Sequence, residues 1–293
     1  MNYGPVRGLI QPVPITNEVI AFGINNYGSA HRIFGAFIFA TRFAVLRLLD
    51  GFRRGIESKD LLVGFVCLRA AVEHVAHFNS VIVRLRDQKV TEDVDEAHRL
   101  LGQIHDLLEK STYGTRVDWF QVVKSDPETA LKKDAIKYRG QPYRVDTEAG
   151  SILKAIDLLE KNIKGTRAVY ELLCEFAHPN VGLLWLMTES SQSRRDKNGV
   201  FWVDKSLGSH VPGELVKNEM VSIPRRILRQ ADLCLQHFLV LQTEAIGQQQ
   251  QILRLTQVIV RRLLGRGHNS ELFDTYSLCP CGSGAKLKFC CVK

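Results

Sequence analysis

Most of the chain alternates apolar and polar positions with a helical period. From Ser29, a capping residue, Phe34, Phe37, Ile38, Val45, Leu48 and Leu49 recur at three- and four-residue spacing, which predicts a helix to about Glu57. Leu62, Phe65, Val66, Val72, Val75, Ile82 and Leu85 repeat that spacing over about Lys59 to Gln88. Two helices of similar length with so short a connection predict an antiparallel hairpin. A third helix, about Val94 to Lys110, keeps Leu100, Leu101, Ile104, Leu107 and Leu108 inside. Residues 111–146 lose the period and read as an extended excursion with a short helix near Glu128 to Ile136. The period returns over about Thr147 to Ala177, where Pro179 stops it. Two short apolar runs, Leu183 to Thr188 and Val200 to Val203, flank a turn at Asn198-Gly199 and predict a β-hairpin. A last helix starts at Ile223-Pro224 and runs to about Leu264, with a kink or interruption expected at Gly247 and the four glutamines after it.

The final fifteen residues break from this pattern. Cys279, Cys281, Cys290 and Cys291 form C-x-C-x8-C-C, which brings two pairs of thiolates together across one turn. Pro280 stiffens the first pair, and Gly282 and Gly284 suit the tight loop between the pairs. Four sulfurs with no other donor suit a closed tetrahedral Zn²⁺ site, structural and not catalytic. The alternative is four core or disulfide-bonded cysteines, for which adjacent Cys290 and Cys291 in a lysine-rich tail are poorly placed. The expected fold is mainly α: a helical bundle of four to five long helices with a small β-hairpin, plus a C-terminal zinc knuckle. Its divisions are an irregular arm over 1–28, the bundle over 29–264 with the hairpin near 181–205, a linker over 265–276 and the knuckle over 277–293.

The tail, Cys-Pro-Cys-Gly-Ser-Gly-Ala-Lys-Leu-Lys-Phe-Cys-Cys over 279–291, resembles the SEC-C motif at every fixed position of C-P-C-G-S-G-x-K-x-K-x-C followed by Cys or His. That motif is a small zinc module at the C-terminus of the bacterial secretion ATPase and of many otherwise unrelated bacterial proteins. The resemblance implies Zn²⁺ on all four cysteines and docking on a protein or ribosomal surface, with Lys286, Lys288 and Lys293 complementing an acidic partner. A helical body followed by such a tail also resembles bacterial proteins that join a bundle to this module.

Composition narrows the setting. A net charge of +8 favours acidic partners, RNA among them. Cys67, Cys174 and Cys234 are dispersed in apolar helical patterns, and an odd remainder argues against a disulfide framework and for a reducing cytoplasm. No basic-then-apolar leader pattern opens the chain. The stretch Ile33 to Leu49 reads as the most apolar, but Arg42 and Arg47 interrupt it, so no membrane span is expected.

One internal segment carries polar residues into an apolar helix. Arg69, Glu73, His74 and His77 lie within nine residues, with Arg69 and Glu73 as an i,i+4 pair. Such a group is either a buried network that fixes helix register or a ligand or catalytic site. Arg69-x4-His74 resembles the R-x4–6-H motif of HEPN-domain ribonucleases, with Ala70 where that family prefers a polar residue. The resemblance implies an arginine and a histidine acting on the RNA phosphate and the 2′-hydroxyl, commonly across a homodimer interface. His178, in Glu175-Phe176-Ala177-His178-Pro179-Asn180, either caps helix carbonyls or joins Glu175 in a pocket with that cluster. The arginine pairs 53–54, 194–195, 225–226 and 261–262 are dispersed, and no phosphate loop, serine-nucleophile elbow, zincin pair or dinucleotide fingerprint occurs.

Overall fold

A computed structural model of the chain describes residues 18–58, 60–113, 137–138, 141–142, 151–178, 188–207, 222–265, 276, 278–279 and 283–291. Among them the protein is mainly α, with six α-helices: α1 (Glu18–Glu57), α2 (Leu61–Arg86), α3 (Val94–Tyr113), α4 (Ile152–Asn162), α5 (Thr166–Ala177) and α6 (Ser222–Gly265). Two antiparallel pairs complete the set. β1 (Lys137–Tyr138) pairs with β2 (Gln141–Pro142), and β3 (Thr188–Arg195) pairs with β4 (Phe201–Leu207). The expected short helix near Glu128 to Ile136, most of the arm over 1–28 and most of the linker over 265–276 fall outside the described residues.

Several helix ends are where local chemistry puts them. The Asp60 carboxylate accepts the Val63 amide at 3.2 Å, and Asp93 accepts Glu96 N at 2.8 Å, so both starts carry an aspartate cap. The β3–β4 turn is held by Asp196, whose Oδ1 accepts the amides of Asn198 (2.8 Å) and Val200 (2.9 Å), while Gly199 takes φ 79°.

Three expectations are corrected. α1 begins at Glu18, well before Ser29. Glycine and asparagine cost at most about 1 kcal/mol each inside a helix, too little to end one that propagates cooperatively. The expected single helix over Thr147 to Ala177 is two, broken at Ile163–Gly165, where Ile163 is extended and Gly165 has φ 89°. Glu160 supports the break: its carboxylate accepts Gly165 N (3.0 Å) and Arg167 N (2.9 Å), capping α5 from the last turn of α4. Those backbone donors, Arg167 first, hold the Glu160 pKa below its ordinary value. α6, finally, runs unbroken through Gly247. Of the glutamine run, Gln248 packs inward, buried and with its amide donating to Ile82 O at 3.0 Å, while Gln250 and Gln251 stay exposed.

The chain divides into two compact units. One holds Met1–Phe39, Val81–Gly150 and Thr243–Lys293; the other holds Ala40–Ser80 and Ser151–Gln242. In the first, Phe34, Ile82, Leu101, Ile104 and Leu108 are fully buried, and Arg86 grips Glu244 with two bonds of 2.8 and 2.9 Å. In the second, Phe65 of α2 stacks on Phe176 of α5 at 5.1 Å, and Phe78 meets Phe238 of α6 edge-on at 5.5 Å. The α1–α2 hairpin closes there through glycine: Gly55 and Gly64 lie so near that a Cβ on Gly55 would sit 2.5 Å from Gly64 N. Among the described residues the helix long and apolar enough to cross a bilayer is α2, with mean hydropathy 1.5 over its best window, and not Ile33 to Leu49. Of that window 44% is buried inside the protein.

Candidate metal centre

The tail folds back on itself in a few steps. Leu278 bridges Lys286 in antiparallel fashion, and Cys279 N donates to Ala285 O at 2.7 Å. Gly284, at φ 76°, lies in the loop that reverses the chain. A 3₁₀ turn over Leu287–Phe289 then brings Cys290 and Cys291 round to Cys279. The three sulfurs lie within 4.8 Å of one another, and this cluster can hold a metal ion. Cys281, the fourth expected ligand, lies outside the described residues.

The spacing tests the chemistry. Sulfurs about 2.3 Å from a tetrahedral zinc ion lie about 3.8 Å apart along each edge. The Cys290 and Cys291 sulfurs are 3.9 Å apart, a tetrahedral edge and far beyond a disulfide bond of about 2.05 Å. The remaining thiols are elsewhere. Cys234 is buried, which pushes its pKa up to about 12, and burial raises Cys67 as well, so both are poor thiolates.

Side chains from the tail and from α6 reach the Cys290 sulfur. Ser283 Oγ lies 3.2 Å from it, and Gln257 Nε2 of α6 donates to it at 3.7 Å. Cys279, Leu287 and Cys291 are buried in one apolar cluster with Val260 of α6, with Leu253 packed against it. The opposite side of the tail is open. Tyr276 and Phe289 are 56% and 59% exposed, Leu278 is exposed, and the Lys286 and Lys288 ammoniums lie 5.8 and 5.2 Å from the Tyr276 ring centre. A further group, His105, Asp106 and Glu109, sits on neighbouring positions of α3, with Asp106 exposed and the other two half-buried.

The polar segment of α2 has a different character. Arg69 Nε lies 3.2 Å from Glu73 Oε1, and the same oxygen accepts Tyr170 OH at 2.9 Å. Sequence reading missed Tyr170, because its link from α5 to α2 has no local signal. Burial opposes the Arg69 charge, but Tyr170, Cys174 and Glu73 together hold its pKa above the ordinary value. Burial, then the Glu73 bond, pushes Tyr170 up to about 12. His74 lies on another side of α2, open to solvent at one edge yet crowded by its neighbours; that crowding, then His77, lowers its pKa. The Phe65–Phe176 and Glu73–Tyr170 contacts make α2 and α5 antiparallel. His178, the exposed C-cap of α5, therefore falls near the level of Val63, on the order of 9 Å along the axis from Arg69. Arg69, Glu73 and Tyr170 form one group, and His74 lies on another side of α2.

No known protein family, curated protein or solved structure matches this chain.

Proposed function

We propose that Cys279, Cys281, Cys290 and Cys291 hold one structural Zn²⁺ in a SEC-C-like knuckle, which docks in the cytoplasm on an acidic protein or ribosomal surface. The observation that carries this reading is the sulfur cluster with its 3.9 Å tetrahedral edge. The docking half is supported by the open side of the tail. Over 276–293 there are three lysines and no acidic residue, and two of those lysines flank an exposed tyrosine. Aromatic rings anchor interfaces and lysines steer toward negative charge.

Zinc content by native mass spectrometry and co-sedimentation with ribosomes test the two halves separately. One zinc per chain is expected, lost in Cys281→Ser. Ribosome association is expected to weaken with salt and to fall about tenfold in the Lys286→Glu, Lys288→Glu double variant. Zinc without salt-sensitive association would leave the metal site and remove the docking role.

A ribonuclease using Arg69 and His74 is the competing reading. Residues five apart on a helix point about 140° from one another, and Arg69 is already engaged by Glu73 and Tyr170. Single-stranded RNA is therefore expected to decay at the same background rate with wild type, His74→Ala and a deletion after Leu278. Cleavage by wild type that His74→Ala abolishes would assign the body a nuclease role.

A further inference from the structure

We infer that the metal centre is completed outside the tail, by Gln257 of α6, so that metal loading and capture of the tail by α6 are one coupled event. This rests on the zinc reading above. Leu253, Gln257 and Val260 follow one another at i, i+4 and i+7, which puts them within about 60° on the helix. That narrow face adjoins the core face of the same segment, on which Ile252, Leu255, Thr256 and Ile259 are buried, with Thr256 between Val260 and Ile252 on the helix surface. The tail occupies the narrow face. Val260 is buried in one cluster with Cys279, Leu287 and Cys291, and Leu253 packs against it. Between those two apolar contacts Gln257 extends its amide to the Cys290 sulfur at 3.7 Å.

The chemistry gives that bond its direction. A neutral thiol is a weak acceptor, whereas a metal-bound thiolate carries the negative charge that an N–H donor favours. Four thiolates around Zn²⁺ leave a net charge of about −2, which outer donors partly offset. A Cys290 thiolate can accept from the Ser283 hydroxyl within the tail, 3.2 Å away, and accepts from Gln257 of α6. The α6 amide therefore binds the metal-loaded tail more strongly than the metal-free one. By reciprocity, docking on α6 raises the affinity of the tail for the ion by the same factor.

Two measurements on the full chain test this. The first is zinc affinity, by competition with a chromophoric chelator, for wild type, Gln257→Ala and Gln257→Glu. Gln257→Ala is expected to weaken zinc about tenfold, the lower end of what outer-shell ligand partners contribute, and Gln257→Glu further by placing like charge beside a thiolate. The second needs no variant: hydrogen exchange at 253–261 in wild type, with and without zinc, where slowing on zinc addition is expected. Wild type that binds no zinc ends both this inference and the metal reading. Zinc bound equally by all three proteins, with exchange in α6 unchanged by the metal, leaves the zinc reading standing and overturns the coupling.

Discussion

Gly55→Ala is expected to destabilise the protein by about 2–3 kcal/mol, although alanine is the better helix former. A Cβ at this position would lie 2.5 Å from Gly64 N, 2.6 Å from Gly64 Cα and 2.9 Å from Asp60 O. These neighbours are backbone and have no rotamer to yield, so relief requires the α1 and α2 backbones to part by roughly 1 Å beside the turn. That movement disturbs the buried Phe52 and Phe65 side chains on either side. The steric cost outweighs the gain of about 1 kcal/mol from helix propensity. Gly102→Ala in α3 and Gly247→Ala in α6 are internal controls, because a Cβ there meets nothing within 4 Å. The controls are expected to raise stability by up to about 1 kcal/mol, while Gly55→Ala lowers the thermal midpoint by about 3–5 °C. A Gly55→Ala protein as stable as the controls would refute the close approach of the two helices.

The same hairpin shows what could be read from the chain and why. Its two helices and short turn were legible because apolar spacing is a local signal, and the structure adds an Asp60 cap at the start of α2. The contact that closes it was not, since two glycines nine residues apart reveal nothing about each other until both helices are placed. The break between α4 and α5 hid for a related reason. Ile156, Leu159, Ile163, Val169 and Leu173 keep an apolar rhythm across it, so the periodicity passed over a left-handed Gly165 that Glu160 caps from the preceding turn. The cysteine cluster was legible because its thiols are close in sequence and their identity carries the chemistry. Gln257 was not, being one of many helix glutamines until the tail is laid against α6. The group on α2 was half legible: Arg69 and Glu73 pair at i,i+4, but Tyr170, which shares the Glu73 oxygen, arrives from ninety-seven residues away.

Asn79 carries the second large expectation. It was invisible as a polar residue inside an apolar run, yet its side chain is 0% exposed and joins three helices of one unit. Its Oδ1 accepts Asn162 Nδ2, from the end of α4, at 3.1 Å, and lies 3.2 Å from His237 Nε2 of α6. Asn79→Ala removes the acceptor from both and opens a small cavity. Unmade buried hydrogen bonds cost about 1–3 kcal/mol each before relaxation, so a loss of about 2–4 kcal/mol in denaturant unfolding is expected. Asn79→Asp separates the polar role from simple filling of space. It keeps Oδ1 and replaces Nδ2, a buried donor with no hydrogen-bond partner, by a second acceptor. A carboxylate beside His237 favours the protonated ring, so the histidine in that variant has a higher folded pKa than in wild type. Relative to wild type, that stabilisation is present while the ring is protonated and is lost as pH rises through the raised folded value. Asn79→Asp should accordingly be more stable at pH 5.5 than at pH 8, relative to wild type, while Asn79→Ala shows the same deficit at both. An Asn79→Asp deficit that does not change with pH would mean that His237 does not address Asn79, and that this position only fills space.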